Sequence, residues 1–167
     1  MAIPHAPQPP TLTSREVSEL LLRLLDGLHG DGDLTPIASE RATGLAVAVA
    51  PDDPLRYGFH GRIDADWTFG LRALTRDGGG AIRGAHFYFN RAADNDGDMD
   101  AVCDPDFETY RTRLTAMGYD AALVRGEHGR LLHWQFERGA IRLLAQVRGQ
   151  SAARADRDCL SMLTIEV

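Results

Sequence analysis

Near the start of the chain the apolar residues fall at helical spacing. Val17, Leu20, Leu21, Leu24, Leu25 and Leu28 form a single stripe along one helix face. Thr13 and Glu16 stand just ahead of it as a T-x-x-E capping box, and Gly27 and Gly30 follow as stop signals. The pattern predicts a helix over 14–28. Residues 1–12 hold four prolines and predict a flexible arm ahead of a single domain at 13–167. Gly30 to Arg41 reads as a loop.

The period then changes from helical to strand-like. Leu45 to Ala50 is a short apolar run ended by Pro51 and Pro54, and 56–63 reads as a ragged strand. Trp67, Phe69, Leu71 and Ala73 alternate with Thr68, Gly70 and Arg72, which is the period of a half-buried strand. Arg76 to Gly80 reads as a turn, and Ile82 to Asn90 as the returning strand of a hairpin. A second helix is expected from Asp104 as N-cap and Pro105 at the first helical position. Its stripe is Phe107, Tyr110, Leu114 and Met117, and it ends at Gly118.

The last third reads as an antiparallel meander over 120–149. A turn at Arg138-Gly139 pairs Glu137 with Ala140, Phe136 with Ile141 and Trp134 with Leu143. A turn at Glu127-His128 pairs Gly126 with Gly129 and Leu123 with Leu132. The opposite face carries Ala122, Val124, Leu131, His133 and Leu144, too apolar for plain solvent surface. Leu160 to Val167 is a final strand. The order α-β-β-β-α-β-β-β-β predicts an α+β domain: a mainly antiparallel sheet of about six to seven strands flanked by two helices. A helix followed by strands occurs twice, without a residue-level repeat.

Composition narrows the chemistry. All 18 basic residues are Arg. The chain therefore has no Schiff-base lysine and no P-loop lysine. Cys103 and Cys159 are too few for a disulfide framework or a zinc quartet, so reduced thiols and a cytoplasmic location are the expectation. The first residues lack a basic, then apolar, leader pattern, and no apolar run suits a membrane span. The net charge of −6 without a basic stripe argues against nucleic acid. No cofactor is expected.

That charge is concentrated. Asp94, Asp96, Asp98, Asp100, Asp104, Asp106 and Glu108 are seven of the 24 carboxylates, and without them the chain would carry +1. The last three suit the positive end of a helix. The first four have no such reason. Their alternation resembles a calcium loop, but a register starting at Asp94 puts Met99 where glycine belongs and Pro105 where glutamate belongs, so no metal site is assigned.

The leading expectation is a non-enzymatic cytoplasmic protein that docks a basic protein partner through Asp94, Asp96, Asp98 and Asp100. A bacterial immunity protein that blocks the basic active site of a toxin is its concrete form, and a secretion-chaperone-like homodimer is the alternative. A different class, an enzyme or small-molecule binder, would draw on His60, Asp64, His86 and His133 in a cleft on the sheet. No G-x-S-x-G elbow or H-E-x-x-H motif supports it.

Overall fold

The computed structural model describes residues 8–75, 80–92 and 97–167. It is an α+β fold with one antiparallel sheet of eight strands and three helices. The helices are α1 (Ser14–Asp26), α2 (Pro36–Thr43) and α3 (Phe107–Ala116). The strands are β1 (Ala48–Ala50), β2 (Asp53–Arg62), β3 (Trp67–Thr75), β4 (Ile82–Arg91), β5 (Asp120–Arg125), β6 (Leu131–Arg138), β7 (Ile141–Gly149) and β8 (Asp158–Glu166). In space they run β1-β2-β3-β4-β8-β7-β6-β5. Each half of the chain thus supplies helix and then four strands, and the two fourth strands meet at the centre.

The capping box is present as expected. Thr13 accepts from the Glu16 N–H, and Glu16 accepts from the Thr13 N–H at 2.7 Å. Helix α1 is packed by both other helices. This accounts for Ser18 and Leu22 being buried beside the predicted stripe. The Ser18 hydroxyl donates to the Ser14 carbonyl at 2.8 Å and shares a hydrogen bond with the Tyr110 hydroxyl. Burial pushes the Tyr110 phenol well above its usual range. The C-terminal ends of α1 and α3 are gathered by one side chain. Arg138 donates to the Leu25, Asp26 and Leu28 carbonyls at 3.0, 3.0 and 2.6 Å, and to the Met117 carbonyl at 2.9 Å.

Four expectations are corrected. Part of the loop at Gly30–Arg41 is helix α2, with Thr35 as N-cap, Pro36 at its first position and left-handed Gly44 as its stop. Helix α3 begins two residues later than Asp104 suggests. Asp106 is its cap, accepting from the Thr109 N–H at 3.1 Å, while Asp104 instead pairs with Arg15 at 2.6 Å. Both meander registers are displaced by two residues. Phe136 faces Leu143 and Leu123 faces Trp134. Gly139, at φ +59°, is the first central residue of the β6–β7 turn, a position that suits glycine, so the loop is Gly139-Ala140. Because the displacement is even, no side chain changes face. Finally, Cys103 and Cys159 are joined in a buried disulfide, so the expectation of reduced thiols does not hold.

Candidate functional site

All three helices lie against one face of the sheet. Alternate residues face them and are buried: Phe59 on β2, Phe69 and Leu71 on β3, Ala85 and Phe87 on β4, Leu163 and Ile165 on β8, Leu143 and Ala145 on β7, and Phe136 on β6. The residues between them point to the opposite face, and among the described residues no helix covers it. Register places Ala48, Gly58, Arg72, His86, Thr164, Leu144, Gln135 and Ala122 in one unbroken row across all eight strands. A parallel row holds His60, Gly70, Tyr88, Met162 and Gln146. Most of these side chains are half-buried by their neighbours alone, including Tyr88, Leu144, Met162 and Thr164.

Glycine shapes this face. A Cβ on Gly70 would come within 2.5 Å of the Tyr88 hydroxyl, so the phenol lies across the glycine. On Gly84 it would strike the Ile165 carbonyl, and on Gly58 the Leu71 carbonyl. A shallow depression of about 440 Å³ opens beside Gly84, lined by Leu74, Arg83, His86, Thr164, Glu166 and Val167.

His86 sits in the middle of this surface. Its Nδ1 shares a 3.0 Å hydrogen bond with the Thr164 hydroxyl, and its cross-strand neighbour is Arg72. Burial lowers the pKa of the imidazole, and the charges of Arg72 and Arg83 lower it further. The face divides electrically along the β4–β8 seam. On the β1–β4 side its charged strand positions are Arg56, Arg62 and Arg72, joined by exposed His60, and Arg56 pairs with Asp52 at 2.7 Å. On the β5–β8 side they are Asp120, Glu137, Arg142, Arg148 and Glu166. There Arg142 bridges Glu137 at 3.0 Å and Glu166 at 3.4 Å.

The histidines and aspartate considered for catalysis stand apart. His60 lies two strands from His86, roughly 10 Å across the sheet, and His133 three strands from it on the other side, roughly 14 Å. Asp64 closes the β2–β3 turn instead, accepting from the Asp66 and Trp67 N–H groups at 2.8 Å each. Of the four, His60, His86 and His133 share the uncovered face without touching.

The acidic segment is partly neutralised by the chain itself. Arg15 pairs with Asp104, Arg157 with Asp106 at 3.2 Å and Arg111 with Glu108 at 2.6 Å. Burial opposes ionisation of Asp106, but bonds from Thr109 and Arg157 outweigh it and hold the carboxyl below its usual pKa. Asp100 accepts from the Gln150 amide at 2.6 Å. Arg148 donates to the Gly97 carbonyl at 3.3 Å, placing a positive charge at the root of the segment. Asp98 is exposed. Asp94 and Asp96 lie outside the described residues.

Arg72, Thr164 and Glu166 were not singled out by sequence reasoning. The signal for them was the polar half of the alternation in β3 and β8. Among the described residues no helix is long and apolar enough to cross a membrane. In comparisons with known proteins, no family model, curated protein or solved structure matches the chain.

Proposed function

We propose that the protein works by binding another protein, and that the uncovered face of the sheet is its docking surface. One observation carries this reading: among the described residues the eight-stranded sheet has helices on one face only, and its other face mixes Tyr88, Met162 and Leu144 with Arg72, His60 and His86. Aromatic residues, methionine and arginine are the types enriched where proteins meet. The surface is broad and shallow, which suits a macromolecule better than a small one. The buried disulfide favours a setting more oxidising than the cytoplasm first expected.

A second reading keeps the basic protein partner, in the manner of a toxin-immunity pair. It is favoured by the exposure of Asp98 and Asp100 just upstream of three carboxylates that already have arginine partners. In that case Asp98 and Asp100, with Asp94 and Asp96, are the contact.

Photo-crosslinking in the producing cell separates the two. A photoreactive residue at Leu144 or Gln146 should give protein adducts. The same residue at Ile37, 70% exposed on α2, should give none. Adducts from position 98 with none from 144 or 146 would replace the first reading by the second.

A further inference from the structure

Resting on the reading of the uncovered sheet face as a docking surface, we propose that its occupant is a second copy of this chain. The copies pack face to face about a two-fold axis that runs along the β4–β8 seam, parallel to the strands.

Charge complementarity selects this partner and this axis. The β1–β4 half of the face carries Arg56, Arg62 and Arg72 against Asp52, which pairs with Arg56, and the β5–β8 half carries Asp120, Glu137 and Glu166 against Arg142 and Arg148. A two-fold along the seam exchanges left and right. It lays the basic half of one copy on the acidic half of the other, twice, and so makes the contact self-complementary as a closed dimer requires. An axis across the strands would set Arg72 against Arg72 and is disfavoured by the same charges. Near the chosen axis, Tyr88 and Met162 occupy neighbouring strands of one row. The exchange sets each against the other in the partner, an aromatic ring on a thioether.

The area agrees. Eight strands at ~4.8 Å spacing and up to ten residues long present a face of roughly 800–1,000 Å². A stable interface takes about 800 Å² from each partner. Paired sheets also bury Leu144 and Leu74, which the chain alone leaves half-covered.

Sedimentation equilibrium on the full chain at micromolar concentration tests the inference, with circular dichroism to confirm that each variant is folded. The wild type should sediment as a dimer. Across this axis Arg56 on β2 faces Glu137 on β6, so Arg56→Glu should weaken association by about tenfold or more, and Arg56→Glu combined with Glu137→Arg should recover much of it. A monomeric wild type would overturn self-association but leave the face free for a different protein, which the crosslinking adducts would then reveal by mass. A dimer indifferent to Arg56→Glu would place the interface elsewhere and overturn the inference.

Discussion

Arg138 and Tyr119 hold one carbonyl between them. The guanidinium lies 4.3 Å over the phenol ring, and both side chains donate to the Leu25 carbonyl, at 3.0 and 2.8 Å. Arg138 comes from β6, at the far end of the chain from α1. One residue thus satisfies carbonyls at the ends of α1 and α3 that no intrahelical donor reaches, and its charge complements both helix dipoles. Arg138→Met should cost about 2–4 kcal/mol in urea unfolding, since several charge-assisted bonds and a cation–π contact are lost together. Arg138→Lys should recover only part, because one ammonium nitrogen cannot serve the three α1 carbonyls and the Met117 carbonyl, which two guanidinium nitrogens share. A loss below about 0.5 kcal/mol, the size of an ordinary surface change, would contradict this role.

The disulfide ties the segment before α3 to β8 across 56 residues of sequence. Closing a loop of that length restricts the unfolded chain by about 4 kcal/mol in the chain-entropy description. Reduction, or the pair Cys103→Ala and Cys159→Ala, should therefore lower the unfolding free energy by a few kcal/mol. Unfolded but unreduced protein should titrate with no free thiol. Two reactive thiols in that assay would show the cysteines to be reduced in the working protein.

Gly84 and Gly70 separate two kinds of crowding. At Gly84 a new Cβ meets backbone, the Ile165 carbonyl of the central strand pair, whereas at Gly70 it meets the movable end of Tyr88. Gly84→Ala should cost about 1–3 kcal/mol or more. Gly70→Ala should cost less and instead shift the Tyr88 ring, visible as changed fluorescence or proton shifts. Equal costs would mean that Tyr88 is fixed as firmly as the backbone.

His86 reports on the uncovered face through its titration. Burial first, then Arg72 and Arg83, disfavour its protonated form. The unfolded chain therefore takes up this proton before the folded one as pH falls. His86 leaves stability unchanged above about pH 6.5, and stability declines below that until the folded imidazole itself titrates. Nuclear magnetic resonance should show a midpoint below the ordinary imidazole value, and Arg72→Gln should raise it. An unchanged midpoint in the variant would remove Arg72 from the surroundings of His86.

Much of the fold is legible in the chain because it is written in local chemistry. The T-x-x-E box fixes the start of α1, and the alternation of Trp67, Phe69 and Leu71 fixes both a strand and its buried face. The apolar excess at Ala122, Val124 and Leu144 marks a face too apolar for plain solvent, yet among the described residues no helix covers it. Other features depend on distant parts of the chain. Helix α2 is short, with Ile37 exposed, so no stripe announces it, although Thr35-Pro36 and Gly44 frame it. The meander registers turn on which residue takes the left-handed position in each loop. Likewise, the pairing of Asp104 with Arg15 and of Cys103 with Cys159 depends on strand order that only the folded chain sets.

The surface role of the sheet is tested most directly by the accessibility of its methyl groups to a soluble paramagnetic probe, followed from dilute to concentrated protein. The methyls of Met162, Leu144 and Val124 should lose accessibility together as a partner copy covers them, while that of Ile37 on α2 stays constant. If Ile37 becomes protected and the three sheet methyls remain open at every concentration, the helix side is the docking surface and the account fails.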